Sequence, residues 1–428
     1  MRNNVVIWLT GWDFKTYSNF HRWVGRIATL QAVVHSIGYT IIILQRGGWT
    51  YFCQIFKLTF WWTGELATIF ICLLVFFSFF WVRRKNYEFF LVAHIVLSIL
   101  ILISMLGHVS IFSGAYDPLV WIPVLIWILD RVIRGLRVIA FNPQFWKTKA
   151  RVTYNEDAHI IRVAVPVSSS LYDIQPGTFY YLSVLNKWNF WESHPFTVAS
   201  ISRPGTYATE PLGEDAPLLS IELIPSGEQT SATGREMVFL IRPYDSFTSR
   251  LKDYAEAEQP KPATVCVAID GSYGKTLPLE RFSKVLFIVG GSGIAVPLSY
   301  LEKLTTSPII IEIHWAVRQS ALAVDVLCNE LNHILGNDQV EVNIYLTGVD
   351  TRNSRTCDGT INQLARWSSK RLNVDDIIDR ACDTRGKGNI AVVTSGPAKM
   401  ADESRCAVAA RMMQCFPCIE YFEESFQW

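Results

Sequence analysis

Four apolar runs in the first third of the chain constrain the fold more than any other feature. They occupy residues 20–44, 61–82, 88–112 and 118–139, and each approaches or exceeds the length of about 20 residues that a helix needs to cross a bilayer. The second contains Phe70-Ile71-Cys72-Leu73-Leu74-Val75-Phe76-Phe77 and is flanked by Trp61-Trp62 and Trp81. Such side chains sit well at the boundary between lipid and water. Met1 to Thr10 lacks the small-residue cleavage site of a secretory signal. A multi-pass α-helical membrane bundle of four spans is expected over residues 1–141.

Charge divides the chain at the same place. Residues 1–141 hold 12 Lys/Arg and 5 Asp/Glu, and residues 142–428 hold 27 and 33. The formal net charge of +1 gives no whole-chain basicity, so no nucleic-acid partner is expected. Arg83-Arg84-Lys85, then Arg131, Arg134 and Arg137, and also Lys15 and Arg22, all fall on one side of the bundle; the other side carries Arg46 and Lys57. Basic loops stay in the cytosol, which predicts a cytosolic location for everything after residue 141. Seven of the nine cysteines lie there, where they are kept reduced. Cys415 and Cys418 form a single CxxC with no second pair, which reads as structural.

Four of the eight histidines fall inside the runs: His21 and His35 in the first, His94 and His108 in the third. Both pairs are 14 residues apart, a spacing that leaves each pair about 40° from a whole number of turns and about 21 Å apart along the axis. One run separates the two helices, so they run parallel, which sets His21 against His94 and His35 against His108. A histidine in a membrane helix can serve as an interhelical hydrogen-bonding residue. Two matched pairs favour two stacked b haems, each iron held by one imidazole from each helix. Gly25, Ala28, Gly38 and Gly107 leave room for a flat ring, and Arg22 and Arg26 are candidates for its propionates or for anchoring the cytosolic face.

From about residue 150 the pattern changes to short alternating strands such as 159–165 and 178–182, separated by turns such as Gln175-Pro176-Gly177. These predict a small antiparallel β-barrel over 142–280. Residues around 204–216 and 252–263 read as surface excursions. From 281 to 428 the reading is α/β with a parallel sheet, on strands 285–289, 309–315, 342–346 and 390–393. The turn Gly290-Gly291-Ser292-Gly293-Ile294-Ala295 joins a strand to a helix, the place where backbone N–H groups meet a pyrophosphate, although Val296 stands where a third glycine would complete the dinucleotide fingerprint. Arg318 follows the second strand, where a 2′-phosphate is read, and points to NADPH; a solvated surface arginine is the alternative.

His194-Pro195-Phe196-Thr197-Val198-Ala199-Ser200 resembles the HPFT flavin motif of the ferric reductase and NADPH oxidase superfamily. The paired histidines, Phe20-His21-Arg22-Trp23 and the glycine turn match it too, and the ending Glu423-Glu424-Ser425-Phe426-Gln427-Trp428 is similar to that of fungal ferric reductases. The resemblance implies a ferredoxin-reductase-like module with FAD on the barrel and NADPH on the α/β domain. It implies that His194 to Thr197 hold FAD, with Pro195 and Phe196 against the ring, and that Gly271, Tyr273 and Gly274 line the junction of the two domains. Gly290 to Ala295 would take the NADPH phosphates, and Ser395-Gly396-Pro397 would approach the nicotinamide, with Ser395 where relatives usually have cysteine. Trp428 would stack on the flavin and move to admit the nicotinamide. The resemblance also implies further spans before the first, so the chain is expected to be short at its N-terminus.

The implied activity is that of an NADPH-dependent ferric-chelate reductase in the plasma membrane, passing electrons through FAD and two haems to extracytosolic Fe(III) or Cu(II). Lipid is the expected partner, with room for a membrane partner protein. Two rivals stay open: an NADPH oxidase that makes superoxide, and a non-catalytic haem-binding paralogue or truncated gene product. The terminal Trp428 favours metal reduction over the oxidase.

Overall fold

The structure is a computed structural model; it describes residues 10, 14–85, 87–141, 148–167, 174–185, 192–202, 235–244, 247–348, 365–383, 388–413 and 419–424. The chain forms two compact units, 1–136 and 137–428.

The first unit is helical: α1 (Phe14–Phe56), α2 (Thr59–Phe77), α3 (Phe80–Lys85), α4 (Tyr87–Val109) and α5 (Asp117–Phe141), the last running past its boundary. Lipid offers the backbone no hydrogen bonds, so an apolar segment must satisfy its own as helix. The few hydroxyl side chains obey the same rule by bonding back to a carbonyl one turn earlier: Thr63 to Thr59, Thr68 to Gly64 and Ser98 to His94. Ser36 of α1 and Thr68 of α2 then share a hydrogen bond of 2.8 Å between helices. Three described helices, Thr16–Phe56, Thr59–Phe77 and Phe89–Phe112, are long and apolar enough to cross a membrane. The fourth expected run is also helical, but Asp130, Arg131, Arg134 and Arg137 interrupt it. Its uncharged stretch, 118–129, falls short of the roughly 20 residues a span requires.

The second unit begins with a closed antiparallel barrel of order β1-β2-β5-β4-β3-β6. Its strands are β1 (Lys149–Asn155), β2 (Ile160–Val167), β3 (Phe179–Val184), β4 (His194–Ser202), β5 (Arg235–Ile241) and β6 (Ala263–Tyr273). Alternation sets the inside: Ala150, Val152 and Tyr154 of β1 turn inward, as do Tyr180, Leu182 and Val184 of β3. Helix α6 (Phe247–Glu258) closes the interior with Phe247, Leu251 and Ala255. This corrects the excursion expected over 252–263, most of which is the second half of α6. The four-residue spacing of the buried side chains is a helical period that the polar residues between them conceal in the sequence.

The barrel is followed by β7 (Lys284–Gly290), α7 (Ala295–Leu304), β8 (Ile310–Val317), α8 (Ser320–Val326), β9 (Val340–Leu346), β10 (Arg366–Ser368), α9 (Val374–Asp383), β11 (Ile390–Ser395), α10 (Ala398–Met413) and β12 (Ile419–Glu423). The strands make one parallel sheet of order β10-β9-β8-β7-β11-β12. Val285, Phe287 and Val289 bury on one face, and Leu286 and Ile288 on the other. The short β10 and the β12 segment are strands that the sequence pattern did not reveal. The chain leaves β7 in one direction through β8, β9 and β10, then returns to the other side of β7 as β11. That reversal opens a crevice at the carboxyl ends of β7 and β11, the usual ligand position in such sheets.

Barrel and sheet are joined by a buried ionic clamp. Arg162 of β2 holds Glu330 at 2.6 Å and Asp325 at 2.8 Å, and Asn155 donates to Asp325 at 2.8 Å. Burial opposes the Arg162 charge, but Glu330 and then Asp325 outweigh it and hold its pKa above the ordinary value. A π-helical turn at 327–331 carries Glu330.

Candidate cofactor sites

In the helical unit the four histidines form two couples. His21 and His94 have ring centroids 6.3 Å apart, and His35 and His108 are 6.0 Å apart. Two metal–nitrogen bonds of about 2 Å, with roughly 1 Å from each nitrogen to its ring centre, give a similar separation of about 6 Å. The donor set therefore fits one iron between each couple. Imidazole is a common axial ligand of haem iron.

Helix α2 carries no histidine, yet it supports both histidines of α4. His108 Nδ1 lies 2.8 Å from the Phe60 carbonyl, and His94 Nδ1 lies 3.4 Å from Ser78 Oγ. Gly64 makes the first contact feasible, since a Cβ there would stand 2.4 Å from His108 Nδ1. Gly107, one of the small residues expected to admit a ring, instead receives the Thr63 side chain, which a Cβ would meet at 2.6 Å. Gly25 and Gly38 do face open space. Arg22 bonds to Asn19, and Arg26 lies over the Trp23 ring at 5.2 Å. Sequence reasoning missed Gly64 and Ser78, because a lone glycine or serine in an apolar helix carries no period of its own.

On the barrel, His194, Pro195, Phe196 and Thr197 open β4 and pair with 179–182 of β3. The ring of His194 stacks on Phe247 at 4.6 Å, and Phe196 stacks on the same residue at 6.1 Å. Phe196, half-buried, thus packs against the barrel interior on one side. Successive strand residues face opposite sides. Val198 joins the barrel core, Ala199 the core shared with the parallel sheet, and Ser200 is half-buried. The Thr197 hydroxyl is buried, 8% exposed, without a hydrogen-bond partner among the described residues. A bound group that supplies one would remove that cost.

Gly271 and Tyr273 lie at the end of β6, and Gly274 follows it. A Cβ at Gly271 would strike the Tyr180 ring at 2.4 Å. Tyr273 stacks on Phe179 with centroids 5.8 Å apart and donates to Asp270 at 2.9 Å.

At the crevice of the sheet, the two predicted turns nest together. Gly293 has no room for a side chain, because a Cβ would lie 2.4 Å from the Ser395 carbonyl; one at Gly290 would lie 2.9 Å from Pro397. Gly396 is equally close, its Cβ position 3.1 Å from the Gly290 nitrogen. Ser292 is exposed and Gly290 and Gly291 are half-buried. Ile294 and Ala295 are core residues, so only the first part of the expected phosphate turn is accessible. The buried Trp315 indole donates to the Gly291 carbonyl at 2.9 Å and pins the turn, a role with no local sequence signal. The Ser395 hydroxyl is fully buried without a hydrogen-bond partner among the described residues. Arg318 is exposed just past the carboxyl end of β8.

Beyond β12, the Glu424 amide donates to the Thr394 carbonyl at 2.9 Å, and burial pushes the Glu424 carboxyl up to about 7. Tyr300 of α7 accepts from the Leu277 amide at 2.9 Å, and burial pushes its hydroxyl up to about 12. Trp428, Cys415 and Cys418 lie outside the described residues.

These features define a membrane protein whose second unit joins a barrel to a nucleotide-type sheet. Three family models match in chain order. They are a ferric reductase like transmembrane component over residues 1–105, an FAD-binding domain over 144–208 and a ferric reductase NAD binding domain over 282–409. The chain carries, in order, a ferric-reductase-like transmembrane component, an FAD-binding domain and a ferric reductase NAD binding domain. It is similar to three proteins of Saccharomyces cerevisiae: ferric reductase transmembrane component 6 (26% identical over 450 residues), component 5 (28% over 448) and component 3 (29% over 462). Each alignment covers all of this chain but only 57 to 58% of the relative. A solved ferredoxin NADP+ reductase from Neisseria gonorrhoeae aligns over 64% of this chain and 98% of its own, at 14% identity and a TM-score of 0.41.

Proposed function

We propose that the chain is a transmembrane reductase that draws electrons from cytosolic NADPH and delivers them to ferric iron on the other side of the membrane. The observation that carries this reading is the arrangement of His21 with His94 and His35 with His108, two couples at two levels of one helical unit. When bound, FAD takes electrons as a hydride and passes them on singly, and bis-histidine haem carries one at a time without an open iron position. The domains divide as 1–141 for two b haems, 142–280 for FAD and 281–428 for NADPH.

The chain's own residues bind and orient. Pro195 and Thr197 present one edge of β4 to the flavin, with the Thr197 hydroxyl as donor. Gly290, Gly291 and Ser292 offer backbone N–H groups to the nucleotide phosphates, and Arg318 offers a guanidinium to a 2′-phosphate. Ser395, beside Gly293, borders the nicotinamide, and Trp428 acts as the gate over the flavin. His21 and His94 form the inner couple, and His35 and His108 the outer one. The basic clusters at Arg83 and Arg131 support a cytosolic location for the second unit, and plasma membrane is the proposed site. A relative from Saccharomyces cerevisiae described as a ferric/cupric reductase supports Cu(II) as a further acceptor.

The test is a reduced-minus-oxidised absorption spectrum of the purified full chain after NADPH addition. Flavin bleaching followed by the bands of reduced low-spin haem is expected. A colourless protein, or haem that NADPH leaves oxidised, sinks the proposal.

A further inference from the structure

The two histidines of α4 are held at opposite ends of α2, and the chemistry of each contact determines which ring nitrogen carries the proton. At one end the partner is the Phe60 carbonyl, 2.8 Å from His108 Nδ1. A carbonyl only accepts, so His108 Nδ1 bears the hydrogen. At the other end the partner is Ser78 Oγ, 3.4 Å from His94 Nδ1, and a hydroxyl can act either way. Its single proton is already committed, because Ser78 Oγ donates to the Leu74 carbonyl at 2.6 Å. The oxygen is left to accept, so His94 Nδ1 also bears its hydrogen. In both rings Nε2 is then the basic nitrogen.

We infer that α2, which supplies no ligand, is the orienting helix of both metal sites, with Ser78 a positioning residue for the inner couple and Gly64 for the outer. The inference rests on the proposed haem function and deepens it. A hydrogen bond to the outer nitrogen of a ligating imidazole fixes its tautomer and ring plane and raises the basicity of the nitrogen on the metal. A more basic ligand holds Fe(III) more strongly than Fe(II). The two contacts differ in kind and length, so each centre is tuned separately from one helix. Gly64 is required because the His108 ring occupies the place of its missing side chain.

The experiment uses the purified full chain, with low-temperature electron paramagnetic resonance and a potentiometric titration read at the haem bands. Ser78→Ala removes the acceptor at His94 only. The expected result is two bound haems, one with displaced g-values and a raised midpoint, the other unmoved. At a fixed potential the ferrous-to-ferric ratio of the affected centre rises. Ser78→Thr, which keeps the hydroxyl, restores both readings. Gly64→Ala displaces the signal of the other centre and leaves the first alone. If Ser78→Ala yields no folded protein, Ser78→Thr against Ser78→Val makes the same comparison at matched volume. Both signals and midpoints unchanged in Ser78→Ala, or both moved together, overturns the inference while the haem reading stands. Absence of haem from the unaltered chain overturns both.

Discussion

The two units of this molecule are built inside out with respect to each other. In the helical unit many large apolar side chains are outside: Trp23, Leu30, Val34, Ile69, Phe76, Val92, Ile103 and Leu125 are all exposed, while Thr63, Ser104 and Asp130 are buried beside Ile43, Trp61, Leu97, Val109 and Val120. In the second unit the order reverses. Trp315, Phe239, Phe287, Leu182 and Ile241 are among its fully buried side chains, and its exposed large apolar residues in the described part are Ile139, Tyr244, Ile310 and Met412. Water makes apolar surface costly and so drives it inward. Lipid is as apolar as leucine, so helices there associate through close packing and a few polar contacts. The reciprocal fit of His108 against Gly64 and Thr63 against Gly107 is packing of this kind. The histidine couples of the first unit sit among such helix contacts, whereas the second unit brings its glycine turns together at the end of a packed sheet.

That contrast predicts functional separability. The largest expected effect is from His35→Ala or His108→Ala, which abolishes ferric reduction outside the membrane and leaves transfer from NADPH to flavin intact. External Fe(II) production measured beside reduction of a soluble dye tests this; equal loss of both activities would mean that the two units do not work in series.

Next in size is Arg162→Ala, which leaves Glu330 buried without its cation and destabilises the second unit by about 3–5 kcal/mol. Thermal unfolding of the variant should show a lower transition for that unit, with the haem spectrum unchanged. An unshifted transition would show that the clamp is dispensable.

Gly293→Ala is expected to act more narrowly. Its Cβ would push against the Ser395 carbonyl, so nucleotide affinity falls roughly tenfold or more, while flavin content is retained. Titration of the nucleotide against flavin absorbance reads it, and wild-type affinity would remove Gly293 from the site.

The smallest effect is from Glu424. Its folded carboxyl is raised to about 7 by burial, so the folded state keeps a proton that the unfolded state releases near pH 4.5. Stability of the second unit should therefore be greatest below that pH, fall as pH rises toward 7, and level off above it. Glu424→Gln should flatten this slope in a series of melting temperatures between pH 4.5 and 8. An identical slope in the variant would refute the assignment.

Legibility followed the range of the rule involved. Helix period and bilayer thickness are local, so the spacing of His21, His35, His94 and His108 carried their pairing. Alternation was legible in β2 and β3, and the glycine turn announced itself between a strand and a helix. Local rules failed where polarity masked a period, as in Leu251 and Ala255 of α6. The fourth apolar run is helical and carries Asp130, Arg131, Arg134 and Arg137, and three other described helices are long and apolar enough to cross a membrane.

What the sequence determined by itself is the class of environment each segment tolerates and the residues able to bind metal or phosphate, because hydropathy and side-chain chemistry belong to the residue. Only the tertiary structure decided that Arg162 meets Glu330, that Trp315 pins Gly291, that Ser395 closes on Gly293 and that Ser78 lies against His94. Each of these unites positions on different elements, and their distances depend on how whole strands and helices pack, a sum of many weak contacts that no local pattern encodes.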